Sequence, residues 1–209
     1  MKKVALLGKG TLAIKIGKWL NASKDFNLIK VIPNVPEPKW TESLSEWARK
    51  EGFHIPNSGN YKELKPEHVD IVLSVFYDRI IDKDFIDRCN CIVNLHNAPL
   101  PKYRGVSPIN WALKNNENYH GVTIHKISPG IDDGDILGKL TYPIYPEIEE
   151  VEDVYKKSLD YGYELFKDVF TKFDYSFKNA KSQKGKVIYK HSGENKFLGN
   201  RKSWTRYES

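Results

Sequence analysis

Three side chains in this sequence have the types and spacing for proton-assisted acyl chemistry. Asn94 and His96 stand two apart in the run Asn-Leu-His-Asn-Ala-Pro-Leu-Pro-Lys-Tyr-Arg-Gly (94–105). Asp132 follows in Gly-Ile-Asp-Asp-Gly-Asp-Ile-Leu (130–137). An imidazole exchanges protons near neutral pH, an amide donates to a developing oxyanion, and a carboxylate orients the imidazole or a water and raises its basicity. Together they are equipment for moving an acyl group onto an amine. Taken singly, each residue has an ordinary reading: an Asn or His at a strand end is commonly a loop cap, and Asp-Asp-Gly-Asp suits a solvated turn. The acids of that turn lack the Glu that a calcium loop requires at its end. The combination is what points to chemistry.

Positioning these groups requires a strand and two turns. Cys91–His96 is short, apolar and β-rich, so it reads as a buried strand. Side chains alternate along a strand, so Asn94 and His96 share a face, about 7 Å apart. Pro99 and Pro101 cannot continue a central strand, so the chain leaves the sheet just after His96. Both polar groups then lie at the carboxyl end of a strand, where open α/β sheets bind ligands. Asp132 falls in the turn 129–134, between β-like runs at 121–128 and 136–144. Further strands are expected at Val4–Leu7, Leu28–Ile32 and Ile71–Phe76, alternating with amphipathic stretches. Thr41 is expected to cap one helix, and Ser107-Pro108 to open another. Apolar residues at helical spacing through 149–173 predict a long C-terminal helix. The fold class expected is α/β: a Rossmann-like, mostly parallel sheet flanked by helices, with a catalytic domain over 1–175 and a short basic tail over 176–209.

The motifs resemble those of the folate-dependent formyltransferases. The likeness covers about residues 1–145 and is dense between Ile92 and Leu137. It lies in the Asn-x-His pair, the Leu-Pro-x-Tyr-Arg-Gly run, the His-Gly-Val-Thr-Ile-His strand and the Asp-x-Gly-Asp-Ile turn. The resemblance implies that an amine attacks the formyl group of 10-formyltetrahydrofolate, with His96 as general acid/base and Asn94 steadying the tetrahedral oxyanion. Asp132 would position His96 and a proton-relaying water. Phe76-Tyr-Asp-Arg-Ile-Ile81 is similar to the family's folate loop, so the cosubstrate is expected at Phe76, Arg79, Ile80 and Ile81 as well as at Asp132. Ala98 replaces the family's usual Ser after the catalytic His, which removes a hydroxyl contact. The run Tyr103–Ala112 is most similar to the sugar N-formyltransferases, which act on nucleotide-linked amino sugars for cell-surface polysaccharides such as O-antigen and lipopolysaccharide. Acceptor contacts are expected at Lys9, Thr11, Tyr77, Tyr103, Arg104 and Gly105. The alternative acceptor is glycinamide ribonucleotide, whose short formyltransferases are of similar length. Methionyl-tRNA formyltransferases resembling this one carry a further C-terminal barrel domain, which is not expected within 209 residues.

Other readings are weaker. Gly8, Gly10 and Ala13 match a dinucleotide-binding Gly-x-Gly-x-x-Ala turn, but no acid ends the next strand, where Pro33 and Asn34 stand. A tight first turn of a doubly wound sheet explains the glycines, and Lys9 or Thr11 can still meet a phosphate. The chain's net charge is +6, yet nine Lys/Arg against two acids from Ser176 onward give the tail +7 and leave −1 elsewhere. That tail also carries Tyr189, His191, Phe197, Trp204 and Tyr207, a mixture suited to nucleic acid, to one nucleotide diphosphate, or to a partner-subunit arm in a homodimer. No nucleic-acid partner is expected under the formyltransferase reading. Cys89 and Cys91 are too close for an ordinary disulfide or a zinc pair, consistent with a reducing, cytoplasmic setting. The apolar run after Met1-Lys-Lys is too short for a signal peptide, and no stretch approaches ~20 apolar residues. No metal is expected: His54, His68, His120 and His125 show no ligand spacing.

Overall fold

A computed structural model describes residues 1–198. The chain forms two compact units, one of residues 1–95 with 126–129, the other of residues 96–125 with 130 onward.

The first unit alternates strand and helix: β1 (Lys2–Gly8), α1 (Gly10–Ala22), β2 (Phe26–Pro33), α2 (Leu44–Lys50), β3 (Ile71–Val75), α3 (Lys83–Arg88) and β4 (Ile92–His96). Its strands are all parallel, with β1 between β2 and β3, and β3 beside β4. Strands covered on both faces must be apolar throughout. Val4, Ala5, Leu6 and Leu7 are accordingly fully buried, and so is every residue of β3. Gly8 makes the turn into α1 possible. Its φ is +149°, and a Cβ there would stand 2.0 Å from the Val75 carbonyl oxygen. Only glycine fits.

Helix α2 begins later than its sequence suggests. The cap is Ser43, whose Oγ accepts from Glu46 N–H at 3.1 Å, rather than Thr41. The Glu37 carboxylate also takes the Leu44 N–H at 2.8 Å, so a residue from the preceding loop satisfies donors that Thr41 would have served. Thr41 Oγ1 instead accepts from Thr11 N–H at 3.3 Å, at the start of α1.

The second unit contains β5 (Arg104–Gly105), α4 (Pro108–Lys114), β6 (Tyr119–Lys126), β7 (Ile136–Pro143), α5 (Val151–Thr171), α6 (Phe173–Lys178) and β8 (Tyr189–Lys190). β6 and β7 pair antiparallel. The long helix expected near the C-terminus is α5, which packs on β7. Its buried residues Val151, Val154, Ser158, Gly162, Leu165, Phe166, Val169 and Phe170 recur at three and four, the stripe that a helix lays on a sheet. Each large apolar side chain so buried contributes about 1.5–3 kcal/mol. No helix among the described residues is long and apolar enough to cross a membrane.

The basic segment after α6 is built into the second unit as far as it is described. Strand β8 pairs parallel with β5. Trp204 and Tyr207 lie outside the described residues.

Candidate active site

Strand β4 carries Asn94 and His96 at alternate positions, as the pleat requires. Ser74, the partner of Asn94 in the β3–β4 register, donates its hydroxyl to Asn94 Oδ1 at 2.8 Å. That bond turns the Asn94 Nδ2, the donor an oxyanion needs, away from Ser74.

His96 ends β4 and is 8% exposed. Its Nε2 lies 2.8 Å from the Tyr103 carbonyl oxygen, an atom that can only accept. Nε2 therefore bears the hydrogen, and in the neutral ring Nδ1 holds the basic lone pair. Nδ1 lies 3.5 Å from Asp132 Oδ2, so the carboxylate stands ready to stabilise the imidazolium once Nδ1 takes a proton.

The loop from Asn97 to Tyr103 is fixed by side chains of β6 and β7. Thr123 Oγ1 donates to the Ala98 carbonyl at 2.7 Å and accepts from Leu100 N–H at 3.1 Å. Lys139 Nζ donates to the Leu100 carbonyl at 3.0 Å. His120 Nε2 lies 2.9 Å from the Asn97 carbonyl oxygen, and burial pushes the His120 pKa down to about 4, which keeps it a neutral donor. Tyr103 adopts a left-handed conformation, φ 61°. Its hydroxyl donates to Glu117 at 2.9 Å and accepts from Asn115 Nδ2 at 3.0 Å. The ring of Tyr103 is thus an anchor in the core, and its carbonyl is the part that meets His96.

Asp132 sits in the turn before β7, also left-handed at φ 47°. Gly105 N–H donates to its Oδ2 at 2.9 Å, and His125 Nε2 lies 3.4 Å from its Oδ1. Burial alone would raise the carboxyl pKa. The neighbouring His96 and His125 rings and the Gly105 N–H outweigh it and hold the group well below the usual carboxylate range. A permanently ionised acid beside an imidazole of fixed tautomer is equipped for proton transfer at one nitrogen, Nδ1.

The remaining expected residues fall into two groups. In the first unit, Phe76 turns the chain out of β3 with φ 56°, and its carbonyl accepts from Asn34 Nδ2 at 3.3 Å. Tyr77 donates its hydroxyl to the Gly59 carbonyl at 2.6 Å, and Arg79 donates to the Ser58 carbonyl at 2.6 Å. Ile80 is 76% exposed whereas Ile81 is buried. The expected folate loop therefore offers one bare apolar side chain, while the Tyr77 and Arg79 side chains reach back to the Gly59 and Ser58 carbonyls. Lys9 precedes α1, where burial lowers its pKa against the opposing pull of Asp78, and Thr11 lies in the first turn. In the second unit, Arg104 donates through Nε and Nη2 to Gln183 Oε1, at 3.1 and 2.7 Å. Gly105, with φ +89°, packs so closely on Lys190 that a Cβ would stand 1.9 Å from the Lys190 carbonyl oxygen.

Three contributors escaped the sequence reading. His125 and His120 show no metal-ligand spacing, yet His125 meets Asp132 and His120 meets the Asn97 carbonyl next to His96. The available signal was a histidine near the end of an apolar strand that runs into the Asp132 turn. Gln183 carried no signal at all. Among the described residues, no group of three His, Cys, Asp or Glu could hold a metal ion.

The Formyl transferase family model matches residues 4–170. The chain belongs to that family. A methionyl-tRNA formyltransferase of Fervidobacterium nodosum is 34% identical over 156 residues, covering 69% of this chain and 50% of that one. The chain thus spans about half the length of that relative. Among solved structures, the N-formyltransferase from Helicobacter canadensis, in complex with folinic acid and dTDP-3-aminofucose, superposes with a TM-score of 0.76. It is 27% identical, over 93% of this chain and 72% of that one. WlaRD, a sugar 3N-formyl transferase solved with dTDP and 5-N-formyl-THF, gives 0.74 at 26% identity, covering 93% and 71%. The formyltransferase fold inferred from the Asn-x-His and Asp-x-Gly-Asp motifs is the fold observed.

Proposed function

We propose that this protein transfers a formyl group from 10-formyltetrahydrofolate to the amine of a nucleotide-linked amino sugar. The observation that carries the chemistry is the His96 ring, tied through Nε2–H to Tyr103 and presenting Nδ1 beside an ionised Asp132. The likeness to structures whose own ligands are folates and dTDP sugars supports the sugar acceptor. The Phe76–Ile81 loop, with Ile80 bare, fits a flat pterin set against backbone groups. The Lys9 ammonium and the Thr11 hydroxyl suit the diphosphate of the acceptor.

The reaction joins the acceptor amine nitrogen to the formyl carbon and breaks the bond from that carbon to N10 of the folate. Asn94 Nδ2 donates to the oxygen that becomes negative in the tetrahedral intermediate. His96 Nδ1 takes the proton that the attacking amine releases and returns it to N10 as the leaving nitrogen departs. Asp132 stabilises the imidazolium in between. In this reading the enzyme works as a cytoplasmic homodimer and supplies a formamido sugar for cell-surface polysaccharide.

The sequence relatives favour a second acceptor, methionyl-tRNA, because curated matches up to 39% identical carry that name. The deciding experiment follows tetrahydrofolate release with dTDP-linked 3- and 4-amino sugars, methionyl-tRNA and glycinamide ribonucleotide in parallel. Turnover confined to a sugar nucleotide is the expected result. Turnover of methionyl-tRNA or the ribonucleotide alone replaces the acceptor in this reading, and no turnover with any of them overturns it.

A further inference from the structure

The segment after α6 lies beyond the family match, which ends at residue 170, yet it reaches the turn that carries Asp132. Gln183 is the point of contact. Its Nε2 donates to the Asp132 carbonyl at 2.7 Å and to the Gly134 carbonyl at 2.9 Å. Its Oε1 accepts both Arg104 bonds, so every donor and acceptor of the amide is engaged. Two residues earlier, Lys181 exchanges backbone hydrogen bonds with Ile136 at 2.8 and 2.9 Å, on the far side of the same turn. Further on, Arg104 N–H donates to the Ile188 carbonyl and Val106 N–H to the Lys190 carbonyl, at 2.8 and 3.0 Å.

These contacts answer a physical problem. A non-glycine residue at φ 47° is strained and persists where its surroundings over-determine it. The Asp132 side chain is held by Gly105 and the two histidines, but those bonds do not fix the backbone that leaves the strained residue. Gln183 fixes its carbonyl and, two residues on, that of Gly134. Through Arg104 it also ties the turn to β5, whose Gly105 N–H holds the carboxylate.

We propose that Gln183 is a positioning residue for the transfer reaction: it clamps the left-handed Asp132 turn so that the carboxylate meets His96 Nδ1. This rests on the proposed roles of His96 and Asp132. Misplacing a catalytic group by about 1 Å costs on the order of 100-fold in rate, so the effect belongs in kcat rather than in binding.

Two isosteric variants of the whole chain test it. Gln183→Met removes every polar contact, while Gln183→Glu keeps acceptors for Arg104 and sets an oxygen against the two carbonyls instead of N–H groups. In both, kcat for formyl transfer falls roughly 10- to 100-fold. The KM for 10-formyltetrahydrofolate changes less than about threefold, because Gln183 makes no contact with the Phe76–Ile81 loop expected to hold the folate. Amide hydrogen exchange over residues 130–136 rises in both, a readout that needs no turnover. Unchanged exchange in Gln183→Met overturns the clamp. Faster exchange with kcat kept within twofold, or a loss of kcat in Gln183→Met that Gln183→Glu restores, overturns the positioning role. His96→Asn in the same assay isolates the underlying reading: if it retains full kcat, the catalytic assignment has failed, and the clamp stands or falls on exchange alone.

Discussion

At the scale of single residues, the candidate site depends on which atom of each group faces the chemistry. The Tyr103 carbonyl commits His96 Nε2 to carrying a hydrogen, and Ser74 commits the Asn94 oxygen to accepting one. Nitrogen-15 NMR of histidine-labelled protein should find neutral His96 as the Nε2–H tautomer; a dominant Nδ1–H form would reverse the proton path. Asp132→Asn keeps the shape but removes the charge that stabilises the imidazolium. Its kcat should fall by about 100- to 10,000-fold, the span that positioned proton transfer supplies, and a loss under tenfold would remove Asp132 from the mechanism. Ser74→Ala frees the Asn94 amide to turn over. A kcat loss of roughly tenfold with KM unchanged is expected, since one neutral hydrogen bond contributes about 0.5–1.5 kcal/mol.

The elements decide how firmly those atoms are held. β6 grips the loop after His96 through His120 and Thr123, and His120 does so as a buried neutral ring. Its folded pKa of about 4 lies below the ~6.5 of an unfolded histidine, so the unfolded chain binds the proton more readily in between. Stability is therefore complete above about pH 6.5 and falls by up to about 3 kcal/mol as the pH drops towards 4. Denaturant titrations across that range should show the slope, and His120→Gln, which keeps a donor for Asn97, should flatten it. An unchanged slope in the variant would assign the acid sensitivity to other groups. At β5, Gly105→Ala forces a Cβ to 1.9 Å from the Lys190 carbonyl at a φ of +89°. A loss of more than about 2 kcal/mol is expected, together with a fall in kcat as the Gly105 N–H leaves Asp132.

On the scale of the whole molecule, the described part of the segment after Ser176 has a structural use. Basic residues interleaved with aromatics suit nucleic acid equally well on composition alone. The described part of the segment instead supplies β8 and Gln183 to the unit that holds His96 and Asp132. Deleting residues 179–209 should accordingly lower formyl transfer by at least tenfold, in line with a clamp lost from the Asp132 turn. If the deletion spares transfer but abolishes a salt-dependent affinity for RNA, the segment serves nucleic acid instead.

The sequence by itself determined β1 to β4, β6 and β7, their order of appearance, the long helix and the family, but not the short strands β5 and β8. Apolar runs of four to eight residues and turn-forming Pro and Gly are local signals, and the Asn-x-His and Asp-x-Gly-Asp motifs are contiguous. It also placed Asn94 and His96 on one strand face, because the pleat has a fixed period. It misplaced the cap of α2, since the Glu37 carboxylate that competes for the helix N-terminus arrives from an earlier loop. Only the tertiary structure decided which His96 nitrogen carries the hydrogen, which histidine supports Asp132, and that Gln183 reaches the site. Each of these rests on a bond between residues 7 to 51 apart in the chain, set by where a strand end, a strained turn and a late segment meet. No local spacing encodes such a meeting, because hydrogen bonds between side chain and backbone depend on distance in space and not in sequence.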